Sequence, residues 1–351
     1  MVGLVRYQRV GLAAIGYELP PKVLSSAAIE DRLAPVYQRI GLLPGRLELM
    51  TGIVERRYWD GVVRPSAVAA QAGERALQGF DRGKIGALVH ASVCRDFLEP
   101  ATANVVHHTL GLPKTAQVYD VSNACLGVLS AMLQVANQIE LGQIEAGLVV
   151  AGENGRPLVD STIDALLRDP SIDRKRIKPH FASLTIGSGA VAVLLTRRED
   201  AAHRLRGATI RAATEHHTLC QGGVEGGDTG VGSGSSLGMN TDSEALLKAG
   251  ITLAKDNWVA CQEGLGFGER APERVLTHQV GKAHQQQLYQ ALGIDEAKSF
   301  ITYDKLGNVG SVSLPITLAL AAEAGFVKSG DGVALLGIGS GLSSVMMGVD
   351  W

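Results

Sequence analysis

Three pieces of this chain recur at nearly one spacing, and that recurrence limits the available folds more than any other feature. Tyr119-Asp120 reads as the end of a strand that leads into a helix near Cys125. Tyr303-Asp304 reads the same way, 184 residues later, before a helix that begins after Asn308. Gly147-Leu-Val-Val-Ala-Gly152 returns as Gly332-Val-Ala-Leu-Leu-Gly337 at an offset of 185, and Leu88-Val89-His90 returns as Leu276-Thr277-His278 at 188. Three matches in order predict two copies of one supersecondary plan. Strand-like runs at 85–92, 118–121, 147–152 and 190–196, with a helical pattern over 123–141, give the α/β signature of parallel sheets. The expected fold is α/β, built of two duplicated halves at 1–199 and 200–351.

Composition narrows the function. Among 351 residues, 33 Lys and Arg against 35 Asp and Glu leave a net charge of −2, and 46% are hydrophobic. Disorder and a general nucleic-acid footprint are both disfavoured. The longest apolar stretches are broken by Gly and Ser and fall short of the roughly 20 residues a membrane-spanning helix needs. No secretory signal is read at the N-terminus, so the expected compartment is the cytoplasm. Cys94, Cys125, Cys220 and Cys261 form no CxxC pair and are read as single reduced thiols. Glycine is abundant, 43 residues, which implies many tight turns and close backbone approaches.

Two stretches interrupt the repeat. Residues 156–178, extending to about 180, are charged, hold a helical segment at 162–168, and look like an insertion that caps a pocket; their basic cluster Asp173-Arg-Lys-Arg-Ile-Lys178 is either a solvated face or a contact for nucleotide phosphates. Residues 222–238 hold eight glycines in 17 positions and read as a mobile loop, either a surface linker or a lid over the site.

The chemistry concentrates at the repeated turns. Cys125, in Val121-Ser-Asn-Ala-Cys-Leu-Gly-Val128, follows a strand and opens an amphipathic helix, with Ser122 and Asn123 as candidate N-caps. A thiol there faces unpaired N–H groups and the positive end of the helix dipole, which favour the nucleophilic thiolate. His278 ends a strand, and Asn308 lies at the turn that is the counterpart of the Cys125 turn. If the halves pack with pseudo-twofold symmetry, the three meet in one pocket, a set suited to acyl transfer through a thioester, with N–H donors for an enolate or oxyanion. Gly337-Ile-Gly-Ser-Gly-Leu-Ser343 reads as a tight hairpin or as a loop that presents backbone N–H groups; Cys125 and Ser340 are the expected oxyanion donors. No Gly-Lys-Ser/Thr follows, so it is no phosphate loop, and the adjacent pairs His107-His108 and His216-His217 lack metal-ligand spacing.

These residues resemble the thiolase superfamily, and within it the 3-ketoacyl-(acyl-carrier-protein) synthase III branch. The resemblance runs through Thr51-Gly-Ile-Val-Glu-Arg-Arg57, the Asn123-Ala-Cys125 turn, Thr277-His-Gln279, Gly307-Asn308 and the terminal Gly-Ile-Gly-Ser-Gly. It implies a five-layer αβαβα fold, a homodimer, Cys125 as the acylated nucleophile, and His278 with Asn308 stabilising an enolate. Ser92-Val-Cys-Arg-Asp-Phe-Leu-Glu-Pro-Ala-Thr-Ala103 is similar to a loop of the OleA-type group, which joins two fatty acyl-CoA molecules head to head. In that group the glutamate matching Glu99 crosses the dimer interface into the other subunit's site. A plain acyl-CoA has no carboxylate to lose, so a base must take its α-proton, and an apolar pocket raises a carboxylate's pKa toward that task.

The resemblance has departures. Ser340 stands where true thiolases carry a second cysteine, the motif reads His278-Gln-Val-Gly281 in place of His-Gln-Ala-Asn, and Met50 replaces an arginine ahead of Thr-Gly-Ile. The expected activity is non-decarboxylative Claisen condensation of two fatty acyl-CoAs to a 2-alkyl-3-keto acid, with downstream pathway enzymes as further partners. The alternatives are a decarboxylative synthase III that uses malonyl carrier protein and a non-catalytic subunit. No cofactor and no metal are expected, and Cys94, Cys220 and Cys261 are expected to be core thiols.

Overall fold

The computed structural model describes residues 3–224 and 237–351. Its main sheet is built outward from one central pair, in which strands Val10–Glu18 and His203–Ala212 meet antiparallel at Gly11–Arg204 and Leu12–His203. On one side follow Gly189–Arg197, antiparallel, Ala146–Glu153, antiparallel, then Ile85–His90 and Gln117–Asp120, both parallel. On the other side follow Ser343–Asp350, antiparallel, Gly332–Gly339, antiparallel, and Arg274–Thr277, parallel. The order of directions is the same from the centre outward, which is the duplication expressed as topology.

Alternation along each strand decides the layers. Val149 and Leu335 point inward to a shared core with the central helices Gly127–Glu140 and Ser313–Glu323. Their neighbours point outward: Leu148 and Val150 toward helices Pro65–Ala76 and Thr102–Leu110, Ala334 and Leu336 toward helices Ser243–Gly264 and Lys282–Leu292. Helix, one half of the sheet, helix pair, the other half of the sheet and helix therefore stack as αβαβα. Ser313–Glu323 is buried on nearly every side, so its sequence, Ser-Leu-Pro-Ile-Thr-Leu-Ala-Leu, is apolar all round. Gly127 is required at the start of its helix, because a Cβ there would stand 2.1 Å from the Ala91 carbonyl oxygen.

The insertion is helical over Arg156–Arg168 and Phe181–Leu184 and forms its own core with the N-terminal helices, around Ile29, Leu33, Val36, Ile163 and Phe181. Arg56, from the Thr-Gly-Ile motif, is fully buried beneath it and donates to Ser26 Oγ (3.0 Å) and the Leu184 carbonyl (2.9 Å). Most of the glycine-rich segment, residues 225–236, lies outside the described residues; its ends form the antiparallel pair Cys220–Val224 and Leu237–Thr241. One expected strand is absent. Tyr303–Leu306 is a single helical turn, because the Thr302 and Tyr303 amides donate to the Gln279 side chain rather than to a neighbouring strand. Among the described residues no helix is long and apolar enough to cross a membrane.

Candidate active site

A cavity of about 1610 Å³ opens where the two halves meet, and Cys125, His278 and Asn308 all line it. Each arrives by a different local device. Cys125 sits in a 3-10 turn, Ala124–Leu126, that precedes the α-helical residues. Ala124 has φ +44, the one non-glycine residue with positive φ among the described residues. Such a conformation costs on the order of 1–3 kcal/mol and persists only where packing over-determines it. Here it turns the thiol out of the helix line and into the cavity.

The thiol's electrostatics differ from the expectation. Burial, then the neighbouring Cys220 and Glu153, push its pKa up to about 12, against the lowering expected from a helix N-terminus. The α-helix proper begins only at Gly127, so the dipole's end lies beyond the sulfur, while the cavity strips its water. Only the residue's own backbone N–H acts in the opposite direction. Ser122 and Asn123 do not cap the helix either; the Asn123 amide donates to Ser130 Oγ at 2.8 Å.

His278 has both ring nitrogens buried and without a hydrogen-bond partner. Buried polar atoms are almost always paired, so two open nitrogens on one ring facing a cavity mark a place for a ligand. Burial and the nearby His284 push its pKa down to about 4, which leaves the ring neutral with one N–H to donate. Gln279, fully buried beside it, donates to the Thr277 carbonyl at 3.0 Å and accepts from the Thr302 amide at 3.1 Å. The glutamine of the Thr-His-Gln motif thus ties the histidine to the segment leading to Asn308.

Asn308 is held by its backbone between Thr185 and Gly187 and by its side-chain oxygen, which accepts from the Gly310 amide at 3.0 Å. Its amide nitrogen is therefore the end left to donate. Gly307, at φ +68, permits the close approach, since a Cβ would stand 2.4 Å from the Thr185 carbonyl oxygen. Ser340 also lines the cavity, and the Cβ position of Gly339 is 3.6 Å from Cys125 Cβ, so the terminal glycine hairpin runs beside the thiol.

Glu99 does not line the cavity of its own chain; it is exposed at the tip of a loop whose base is clamped. The amides of Val93 and Cys94 donate to Glu153, and Asp96 accepts from the Ser66 amide and hydroxyl. The amides of Thr102 and Ala103 donate to Asp120, both at 2.9 Å. Only Phe97 to Ala101 project, with Arg64 stacked over Phe97 and Leu98 65% exposed.

Several site residues escape sequence reasoning. Cys94 and Cys220 line the cavity rather than sitting in the core; of the three further thiols only Cys261 is a core residue. Glu153 is 4% exposed, lines the cavity, and accepts from Val93, Cys94 and Ser311. His284 adds a second histidine, and Lys175 and Lys178 bring positive charge from the insertion. Ser92, His90 and Asp120 line up like a hydrolytic triad, at 2.9 and 3.6 Å, but Ser92 accepts from the Gly152 amide and both Ser92 and His90 are buried away from the cavity. That trio is scaffold.

Comparison with known proteins accords with this geometry. Family profiles described as 3-oxoacyl-(acyl-carrier-protein) synthase III and its C-terminal region match residues 119–213 and 265–351. An acyl-CoA:acyl-CoA alkyltransferase of Shewanella oneidensis is 44% identical over 99% of this chain and 100% of its own length. One of Xanthomonas campestris is 36% identical over 98% and 99%. Crystal structures of Xanthomonas campestris OleA, one of them with cerulenin bound, superpose with a TM-score of 0.91 at 36% identity, over 99% of this chain and 98% of theirs. The chain belongs to the 3-oxoacyl-(acyl-carrier-protein) synthase III family of thiolase-fold enzymes, with the acyl-CoA:acyl-CoA alkyltransferases among its relatives.

Proposed function

We propose that the protein condenses two fatty acyl-CoAs head to head without decarboxylation. The carrying observation is the convergence of Cys125, the unpartnered ring of His278 and the amide of Asn308 in one cavity, in a chain 44% identical to an acyl-CoA:acyl-CoA alkyltransferase. Cys125 Sγ attacks the thioester carbon of the first acyl-CoA, the bond to the CoA sulfur breaks, and CoA leaves carrying the cysteine proton. Backbone N–H groups at Cys125 and Ser340 hold the oxyanion.

The second acyl-CoA loses an α-proton to Glu99 of the partner subunit, and its enolate oxygen is held by the neutral His278 and Asn308. The enolate carbon attacks the Cys125 thioester, the carbon–carbon bond forms, and the cysteine leaves as thiolate. Water then cleaves the remaining CoA thioester to a 2-alkyl-3-keto acid. No step needs a cofactor.

The assignment of Glu99 in trans rests on its exposure on a clamped loop outside its own cavity. The Xanthomonas enzyme has been crystallised with a cysteine and with a glutamate 26 residues before it substituted, and Glu99 precedes Cys125 by the same 26 residues. A homodimer follows from that role. Four unpaired thiols suit a reducing compartment, the cytoplasm. Enzymes acting on the keto acid would be the downstream partners. The test is Glu99→Ala: Cys125 should still become acylated while condensation is lost, and condensation at the wild-type rate would remove Glu99 from the mechanism.

A further inference from the structure

One residue in the cavity wall stands against the rules of its own element. Gly250 lies in the eighth position of the 22-residue helix Ser243–Gly264, where glycine weakens the helix relative to alanine. It is buried, its φ is not in the left-handed range, and nothing in its backbone calls for glycine. Close packing does not call for it either, because among the described residues a Cβ there would meet a single atom, Ile338 Cγ2, at the ordinary contact distance of 3.6 Å. What glycine leaves at this position is room.

That room belongs to the cavity. Leu246, Leu247 and Ile251 of the same helix, Leu288 of the next helix and Ile338 line it beside Gly250, an apolar wall with no charged side chain among the six. On the same helical face one and two turns further on, Ala254 and Trp258 turn to the outer-layer core instead. Gly250 therefore sits where the helix changes from lining the cavity to packing on the sheet. The strand bearing Ile338 continues to Gly339, whose Cβ position is 3.6 Å from Cys125 Cβ; side chains alternate along a strand, so this wall lies on the opposite face of the strand from the reacting thiol, at the far side of the same cavity.

We infer that Gly250 is a chain-length gauge: the missing side chain is the space in which the distal methylenes of a bound fatty acyl chain lie. The inference rests on the proposed acyl-CoA function and goes further, to the residue that sets which chains are accepted. Each methylene denied burial costs about fourfold in affinity. A leucine at position 250 would displace roughly three or four of them, so discrimination against long chains should rise by about 60-fold or more.

The experiment offers the purified dimer an equimolar mixture of octanoyl-CoA and palmitoyl-CoA, reading the Cys125 thioester by whole-protein mass and the condensed products by chromatography. Gly250→Leu should lower the long-to-medium ratio by about 60-fold or more. Gly250→Ala, which also raises the melting temperature as a mid-helix replacement, should lower it less, and Ile338→Ala should raise it. A shift in the thioester assigns the space to the first acyl chain, and a shift in the products alone assigns it to the second. An unchanged ratio in both readouts overturns the gauge while leaving the proposed function intact. Failure of wild-type protein to take up either acyl group contradicts that function, and the gauge with it.

Discussion

The carboxylate of Glu153, at the end of a strand in the first half, accepts hydrogen bonds from both the amide (3.1 Å) and the hydroxyl (2.6 Å) of Ser311, in the turn that follows Asn308 in the second half. The same carboxylate accepts from Val93 and Cys94, at the root of the loop that carries Glu99. One buried group therefore fixes the distance between the Asn308 turn and the Glu99 loop.

Glu153→Ala should destabilise the fold by about 3 kcal/mol, since it leaves several buried donors unpaired. Glu153→Gln should cost less stability but lower condensation more than Cys125 acylation, because it loosens the Glu99 loop without touching the thiol. Denaturant unfolding and single-turnover acylation measured together check this; equal losses in both steps would argue for a general collapse of the site.

The resting thiol is protonated at neutral pH. With Cys125 pushed up to about 12, alkylation by iodoacetamide should quicken about tenfold per pH unit from pH 7 to pH 10. A plateau below the ordinary cysteine value of about 8.5 would show that the helix N-terminus outweighs burial.

His278 is neutral through the physiological range, so acid should not impair enolate stabilisation until roughly pH 4. The same shift affects stability. His90, His278 and His284 are all pushed down to about 4 by burial, whereas in the unfolded chain they take up protons near 6.5. The unfolded state then binds more protons between those values, so stability falls as pH drops from about 6.5 to 4 and is unaffected above that window. Denaturant midpoints across pH 4–8 check the sign, and His278→Asn should flatten the curve.

Lys175 and Lys178 are exposed at the cavity rim and free of the core. Charge reversal at both should raise KM for acyl-CoA by about tenfold, with a weaker effect at high salt, if they meet the CoA phosphates. Their exposure predicts an unchanged melting temperature; an unchanged KM would return the cluster to a solvated face.

What could be read in the letters follows from what repeats. Cys125, His278 and Asn308 were legible because the duplication sets equivalent strand ends against one another. Even the divergence of the copies is informative: His90, the counterpart of His278, is fully buried with Nε2 hydrogen-bonded to Ser92, while His278 keeps both nitrogens open to the cavity. Glu153 and the bridging role of Gln279 were not legible, because single polar letters carry no period, and these roles come from partners far along the chain. The thiol's raised pKa is not legible in the sequence for a related reason. Helix position is local and visible, whereas burial beside Cys220 and Glu153 is a property of the assembled halves.

The central claim is tested most directly by supplying purified protein with one long-chain acyl-CoA and no malonyl donor, and following free CoA and products together. Head-to-head condensation predicts CoA release with a doubled-chain β-keto acid, or the ketone it decarboxylates to. Acylation of Cys125 that stalls until malonyl carrier protein is added would contradict it and place the chain with the decarboxylative synthases.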